Sequence, residues 1–199
     1  NTKQYDMFKH DPFDPNSVSY CNVYVRSIIE DNVGNIWFTQ DEGKLNTINK
    51  QKNLFQYYRK YIQKKNEIIF SRETRVLEGR DGRIWFTSEN GLYQYLPELN
   101  KLEKIKAVNQ TDECTLNNKC WRIVEDRDGN LWTGGHKSKL RKYNPFTKEI
   151  TCLNNKIKLS NPAINSILVD KSDNMWFGTW KGGVDMLNAK TNEVVNYTF

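Results

Sequence analysis

The sequence predicts an all-β fold, a β-propeller of four four-stranded antiparallel blades preceded by one N-terminal strand. The first observation is a phrase that occurs four times, at Ile28–Thr39 (IIEDNVGNIWFT), Val76–Thr87, Ile123–Gly134 and Ile167–Gly178. Its tryptophans are 48, 47 and 44 residues apart, at Trp37, Trp85, Trp132 and Trp176. A period of this length is typical of a repeat architecture. The second observation is that 13% of the residues are aromatic while only 37% are hydrophobic, which favours short amphipathic strands.

Each copy opens with two adjacent apolar residues and a tight turn. The pairs are Ile28–Ile29, Val76–Leu77, Ile123–Val124 and Ile167–Leu168. Two neighbouring apolar residues predict a strand that is covered on both faces. The turns contain Gly34, Gly82, Gly129 and, in the fourth copy, Asp173. Gly and Asp tolerate the left-handed conformation that a hairpin turn requires.

Three further strands complete each unit. The second strand carries the Trp and is followed by a polar loop, at Gln40–Lys44, Ser88–Gly91, Gly134–Lys139 and Thr179–Gly183. The third strand is marked by Leu45, Leu92–Tyr95, Leu140–Tyr143 and Val184–Leu187, and the fourth by Asn53–Tyr58, Lys101–Lys106, Glu149–Leu153 and Glu193–Phe199. Four short antiparallel strands in about 45 residues make a propeller blade, whereas helical repeats would show i, i+3, i+4 apolar spacing.

The predicted blades span residues 24–58, 74–106, 121–153 and 165–199, and residues 1–23 hold the fourth strand of a preceding blade and a connector. Gln4–Phe8 resembles a spare fourth strand, although the last copy has its own at Glu193–Phe199. We therefore expect a partial, open segment of a larger propeller, with closure as four blades as the alternative. An open arc exposes strand edges and apolar faces, which favours association with more of itself.

The repeated Asp and Trp are interpreted as structural. Asp31, Asp126 and Asp170 precede the turn in three copies, and Gly79 takes this place in the second. A short acidic side chain at this position is typical of a capped turn. The repeated Trp is expected to pack one blade on the next.

Charge and cysteine usage exclude several classes of function. The net charge of +6 is scattered, which indicates a solvated surface, and no nucleic-acid-binding module or apolar run of membrane-spanning length is present. Cys21, Cys114, Cys120 and Cys152 form no C-x-x-C pair, so a zinc site is not predicted. Cys114 and Cys120 flank a short loop and would close a disulfide in an oxidising compartment; free, partly buried thiols are the favoured alternative.

The best-matching copies, Val25–Thr39 (VRSIIEDNVGNIWFT) and Ile123–Gly134, resemble the two-component regulator propeller repeat. Phe8–Ser19 is similar to that family's connector between blades, although copy three lacks the Phe after its Trp (Trp132-Thr133-Gly134). The resemblance implies the periplasmic sensor region of a hybrid two-component regulator with a seven-bladed propeller. It also implies an oligosaccharide from polysaccharide breakdown as the ligand. The kinase and membrane helix would lie in a longer parent chain, and this segment is expected to be no enzyme and to need no cofactor or metal.

A ligand would bind where loops between blades and loops between second and third strands meet, here called the mouth. The candidate ligand-binding residues depart from the repeat: Arg75, Trp121, Arg122, His136 and Trp180. Indole faces stack on sugars, and guanidinium groups match carboxylate or sulfate, so the predicted partner is an oligosaccharide, either neutral or anionic. Trp121 and Trp180 would alternatively fill irregular blade edges. A second predicted partner is the rest of the parent propeller or another copy of the chain.

Two other functions stay open at this point. GNIWFT and GRIWFT also resemble streptogramin-lyase-type propeller enzymes, which need a general base and a metal. Only His10 and His136 are available as imidazoles, and no paired-carboxylate or nucleophile arrangement repeats at a useful spacing. The third possibility is a scaffold that binds a protein on the propeller face, as WD-repeat proteins do.

Overall fold

The computed structural model describes residues 9–14, 17–18, 24–40, 44–49, 54–58, 73–135, 138–153 and 156–198. Within these residues the chain forms four separate four-stranded antiparallel sheets, each with its strands in chain order. The predicted all-β propeller of four blades is confirmed. The spare strand predicted at Gln4–Phe8 lies outside the described residues.

The strands follow the predicted units closely. Blade 1 contains β1 (Val25–Glu30), β2 (Ile36–Gln40), β3 (Lys44–Asn49) and β4 (Leu54–Tyr58), and blade 2 contains β5 (Val76–Glu78), β6 (Ile84–Ser88), β7 (Gly91–Leu96) and β8 (Lys101–Lys104). Blade 3 contains β9 (Arg122–Glu125), β10 (Leu131–Gly135), β11 (Ser138–Asn144) and β12 (Glu149–Cys152), and blade 4 contains β13 (Ile164–Val169), β14 (Met175–Thr179), β15 (Gly183–Leu187) and β16 (Val194–Tyr197). A 3-10 turn at Pro97–Leu99 joins β7 to β8.

Each blade has two faces, which we name by the residues of its second strand. The Trp face carries the repeated tryptophan, and the Phe face carries the residue after it, because neighbouring residues of a strand point to opposite sides. The Trp face of one blade packs on the Phe face of the next: ring centroids are 5.7 Å apart for Trp37–Phe86, 6.5 Å for Trp85–Tyr143 and 6.4 Å for Trp132–Phe177. The predicted role of the repeated Trp in blade-to-blade packing is confirmed for three of the four tryptophans.

The apolar pairs are covered on both faces only where a blade has two neighbours. Val76 and Ile123, in the two inner blades, are 6% and 9% exposed. Ile28 on the Phe face of blade 1 and Leu168 on the Trp face of blade 4 are 64% and 61% exposed. Trp176 of blade 4 stacks on Tyr197 of its own blade, at 5.7 Å and 21°. In the described part of the chain, no further blade covers the Trp face of blade 4.

The hairpin turns form as the sequence predicts. Gly34, Gly82 and Gly129 have φ between 78° and 84°, and Asp173 has φ 66° at the same position. Asp126 accepts hydrogen bonds from the backbone N–H groups of Asp128 and Asn130 at 3.1 and 2.9 Å. Asp31 and Asp170 make the same contacts in blades 1 and 4. The interpretation of these carboxylates as turn caps is confirmed.

The cysteine prediction needs a correction. Cys114 is bonded to Cys152, not to Cys120, and is not a free thiol. The connector between blades 2 and 3 folds back on β12, where Asn109 exchanges two hydrogen bonds with the backbone of Ile150, at 2.8 and 3.1 Å. This contact brings Cys114 beside the outer strand of blade 3. Cys120 is instead a free, fully buried thiol in the core between blades 2 and 3, and Cys21 lies outside the described residues.

Candidate functional site

The mouth is formed where the inner strands of the blades begin. β5 and β9 start near Arg75 and Arg122, while the hairpin turns that follow them lie at the opposite end of the same strands. Because the inner strands of blades 1 to 4 lie side by side, the residues that start them approach one another. Positions that are one repeat apart in sequence therefore become neighbours at the mouth.

Two of the predicted site residues meet on one carboxylate. Arg122 Nη1 lies 2.9 Å from Glu73 Oε2 and donates a hydrogen bond to it, and Arg75 Nη2 lies 3.7 Å from the same oxygen. Arg122 also donates to the backbone oxygens of Trp121 and of Asn165 in blade 4. One guanidinium thus connects blade 3 to the connector before blade 2 and to blade 4.

Several positive charges lie close to Glu73 at the mouth. Burial and the neighbouring charge of Arg122 lower the pKa of Arg75, with Arg26 adding to this effect and Glu73 opposing it. Arg26 lies over the ring of Tyr24, with its guanidinium carbon 5.4 Å from the ring centroid. Three guanidinium groups from three consecutive blades therefore lie close to Glu73 at the mouth, an arrangement suited to an anion.

Trp121 is anchored to blade 2. Its Nε1 donates a hydrogen bond to Glu89 Oε1 at 2.9 Å, and Lys119 Nζ lies 5.6 Å from the ring centroid. Lys119 also pairs with Glu89, at 3.1 Å. The indole therefore belongs to a Lys–Trp–Glu cluster at the edge between blades 2 and 3. The ammonium group of Lys119 lies over one face of the ring.

Trp180 occupies the loop between β14 and β15 on blade 4. Its backbone N–H donates to the oxygen of Ala163 at 2.9 Å, while its side chain is 52% exposed. Trp180 directly follows the second strand of its blade, which is the position that Glu89 has in blade 2. The remaining predicted site residue, His136, lies outside the described residues.

Sequence reasoning missed the two acidic members of the site. Glu73 and Glu89 hold Arg122 and Trp121, yet neither belongs to the repeated phrase. Their positions relative to the repeat could have indicated them. Glu73 lies two residues before Arg75, and Glu89 directly follows β6, as Trp180 directly follows β14.

Two clefts lie at the other end of the blades. One, of about 690 Å³, lies between blades 1 and 2 and is lined by Asp31, Asn35 and Trp37 among others; a second, of about 520 Å³, lies between blades 3 and 4 beside Asp126 and Trp132. The carboxylates of Asp31 and Asp126 already accept hydrogen bonds from the tryptophans of their own blades. The mouth is the better candidate because three guanidinium groups lie close together there.

Two further properties concern only the part of the chain that the structure describes. No group of three or more His, Cys, Asp or Glu side chains is placed to hold a metal ion. No helix there has the length and apolar character required to cross a bilayer.

The fold and the mouth define a β-propeller whose exposed end presents a basic, aromatic surface. Residues 158–181, which lead into blade 4 and contain β14, match the family model described as Two component regulator propeller. The resemblance that the sequence predicts is thereby confirmed in this segment. A comparison with curated proteins finds no match.

Solved structures with the same fold include two from B. thetaiotaomicron. Each is the extracellular domain of a putative hybrid two component system. The first has 21% sequence identity and a TM-score of 0.71, and the match covers 90% of this chain and 25% of that one. The second has 18% sequence identity and a TM-score of 0.73, and the match covers 96% of this chain and 27% of that one. PorZ, a surface component of the type-IX secretion system of Porphyromonas gingivalis, has 14% identity and a TM-score of 0.64 over 99% and 30%. At these identities the likeness is one of fold, and this chain spans about a quarter of the length of the first two.

Proposed function

We propose that this chain is the ligand-sensing periplasmic part of a hybrid two-component regulator. The match at residues 158–181 and the fold shared with extracellular domains of such systems support this role. In this proposal the propeller is not an enzyme: it recognises a ligand, and the kinase activity belongs to other parts of the parent protein. The blades continue into the rest of a larger propeller.

The proposed ligand is an anionic oligosaccharide released by polysaccharide breakdown, bound at the mouth. The observation that carries this proposal is the sharing of Glu73 by Arg75 and Arg122, with Arg26 close enough to affect Arg75. A guanidinium fork matches the two oxygens of a carboxylate or sulfate, and such charge-assisted hydrogen bonds are stronger than neutral ones. The ligand would replace or supplement Glu73 as the partner of these two arginines.

Aromatic residues would supply the rest of the recognition. The half-exposed ring of Trp180 offers a flat apolar surface for the face of a pyranose ring. Trp121, which is held by Glu89, offers an edge of fixed position. Binding that draws Arg122 away from Glu73 or from Asn165 changes contacts between three blades, which provides a physical route from ligand to propeller.

Calorimetry with a galacturonate trisaccharide and its neutral galactose counterpart tests the proposal. We expect the acidic sugar to bind at least about tenfold more tightly, since a hydrogen bond to a charged group contributes roughly 1.5–3 kcal/mol. Binding should weaken by about 10- to 100-fold in R75Q/R122Q and in R122A/W180A. Arg127→Gln, which removes an arginine at the hairpin end, is the matched control and should bind normally. The proposed site would be ruled out if wild type bound the acidic and the neutral sugar equally tightly and R75Q/R122Q bound them as tightly as wild type does.

A further inference from the structure

Every blade buries one polar side chain at the same position of its third strand. These residues are Asn46, Tyr93, Arg141 and Asp185, and all are at most 2% exposed. Each is paired across the sheet with the residue that follows the repeated Trp: Phe38, Phe86, Thr133 and Phe177. Blade 3 therefore differs from the others at both positions, with Thr in place of Phe and a buried arginine beside it.

Three of the four buried polar groups have good partners. Asn46 donates to Gln40 Oε1 at 3.0 Å, and the Tyr93 hydroxyl donates to Asn90 Oδ1 at 3.1 Å. Asp185 Oδ2 accepts from both the backbone N–H and the hydroxyl of Ser160 at 2.8 Å. The common role of this position is to fasten a loop or connector at the mouth end of its blade.

The hydrogen bonds of Arg141 are longer than those of the other three residues. Its Nη1 donates to the Lys119 oxygen at 3.3 Å and lies 3.6 Å from Cys120 Sγ. Its Nε is buried without a hydrogen-bond acceptor, and so is the hydroxyl of the adjacent Thr133, among the residues that the structure describes. Buried polar atoms in native proteins nearly always have partners, so two orphaned donors on paired residues indicate a missing acceptor.

Among the residues that the structure describes, no Asp or Glu forms an ion pair with the guanidinium of Arg141. The nearby Cys120 thiol does not supply a negative charge, because burial raises the pKa of that thiol although Arg141 and the Thr133 hydroxyl beside it act to lower the pKa. The Thr133 hydroxyl is close to this sulfur but lacks the geometry of a hydrogen bond to it. A buried charge without a counter-charge is strongly unfavourable. A bound anion would satisfy the charge and both orphaned donors together.

We propose that the interior of blade 3 binds a small monovalent anion of the size of chloride, between Arg141 Nε and the Thr133 hydroxyl. Both groups donate to the anion, and one negative charge balances one guanidinium. The Phe-to-Thr difference at position 133 contributes in two ways, since it leaves out a bulky ring and adds a donor. A fully buried position selects a monatomic ion over larger oxyanions, which retain several hydrogen-bonding oxygens.

The anion would stabilise the connector that leads to the mouth. Arg141 contacts the backbone of Lys119, and the Lys119 side chain pairs with Glu89 beneath Trp121. An anion that fixes the Arg141 guanidinium therefore also fixes the base of the Trp121 cluster. This inference concerns a structural ion and does not depend on the identity of the sensed ligand.

Thermal unfolding of the 199-residue chain at constant ionic strength, with chloride replacing gluconate, tests this site. A ligand that binds only the folded state raises the unfolding midpoint, here by about 3–6 °C for each tenfold rise in chloride above its Kd. Bromide should act like chloride, and sulfate should not. Crystals soaked in bromide should show an anomalous peak within hydrogen-bonding distance of Arg141 Nε and Thr133 Oγ1.

Variants separate this site from general salt effects. Arg141→Met should abolish the chloride dependence, and Lys190→Met, which removes an exposed charge, should keep it. Thr133→Val preserves the arginine and serves if Arg141→Met does not fold; it should reduce chloride affinity by about tenfold. A midpoint that does not respond to chloride, a response that survives both Arg141→Met and Thr133→Val, or bromide crystals without the peak would each overturn the proposal.

Discussion

Trp132 Nε1 donates a hydrogen bond to Asp126 Oδ2 at 2.8 Å, joining the second strand of blade 3 to the turn that precedes it. The same bond measures 2.8 Å between Trp37 and Asp31 and 2.9 Å between Trp176 and Asp170. One carboxylate thus caps the turn with one oxygen and fixes the indole with the other. The Asp and the Trp of the repeated phrase act as one structural unit.

Replacing Trp132 with Phe should therefore cost more than replacing Trp85. Both substitutions remove similar ring area from a blade interface, but only Trp132 donates to a carboxylate, because blade 2 has Gly79 at the Asp position. We expect W132F to lower the free energy of unfolding by about 1.5–3 kcal/mol more than W85F does. Urea unfolding of both variants measures this difference. Equal losses would show that the Trp–Asp bond adds nothing beyond packing.

Blade 2 replaces the Asp–Trp unit with a different pair. Arg83 takes the place of the turn Asn and donates through its Nε to Asp81 Oδ2 at 2.6 Å, and its guanidinium lies over Trp85 at 5.3 Å. A Cβ at Gly79 would lie 3.1 Å from Asp81 Oδ1 and 3.3 Å from Trp85 Nε1. The glycine at position 79 therefore accompanies the arginine at position 83, since the Arg83–Asp81 pair fills the space that an Asp side chain at position 79 would occupy.

The double variant G79D/R83N converts this turn to the sequence of blade 3, DRDGN. The single variant G79D should destabilise the protein by about 1–2 kcal/mol, because its side chain crowds Asp81 with Arg83 still in place. Adding R83N should recover at least about 1 kcal/mol of that loss through the restored Asp–Asn–Trp contacts. A double-mutant cycle in urea measures this coupling. Additive effects would show that the two differences in blade 2 are independent.

Acid should weaken the turn carboxylates over a defined pH range. Hydrogen bonds from Trp176 and then Asn174 lower the pKa of Asp170 from 3.8 to about 2. For Asp126, burial acts to raise the pKa, but bonds from Trp132 and Asn130 and the charge of Lys142 outweigh it, so the pKa is lowered. A lowered folded-state pKa means that the stabilisation is complete above about pH 4 and is lost as the pH falls through about 2.

Unfolding midpoints of wild type and D170N should therefore converge on acidification. At pH 7 we expect wild type to be the more stable of the two, and the gap should close between about pH 4 and pH 2 as the carboxyl of Asp170 becomes protonated. Asp112→Asn, which removes an exposed carboxylate of the connector, controls for net charge. A gap between wild type and D170N that stays constant down to pH 2 would contradict the assigned role of this carboxylate.

The disulfide between Cys114 and Cys152 should stabilise the connector strongly. It closes a sequence separation of 38 residues, and the loop-entropy relation gives about 4 kcal/mol for a loop of this length. We expect C114A/C152A to lose a free energy of this order and to become insensitive to reductant. Peptide mapping of the oxidised protein should link Cys114 to Cys152. A link from Cys114 to Cys120 would contradict the structure.

The sequence predicts local features and register well, and long-range contacts poorly. Arg75 and Arg122 are 47 residues apart, the same interval as Trp85 and Trp132, so the repeat alone predicts that they approach at the mouth. The Glu73 carboxylate that they share lies in a connector without periodicity. The sequence also did not identify Cys152 as the partner of Cys114. Asn109 contacts Ile150 and so brings the two cysteines together, and this contact depends on how an irregular connector folds.

The exposed Trp face of blade 4 should make the isolated chain associate. Leu168, Trp176, Met186 and Val195 form one apolar row across its four strands. The equivalent row of blade 3 is Val124, Trp132, Lys142 and Thr151, and blade 4 packs against it. A continuous exposed apolar surface of this kind favours contact with another blade, from the parent propeller or from a second copy.

Light scattering over a range of concentrations measures this association. We expect a mass above 23.5 kDa that grows with concentration for wild type and falls toward 23.5 kDa for L168E/V195K, because two charges on the row oppose its burial. Val108→Glu places a charge on another exposed apolar residue, in the connector and away from this face, and should leave the wild-type behaviour unchanged. A compact wild-type monomer at every concentration would show that the blade 4 face needs no partner.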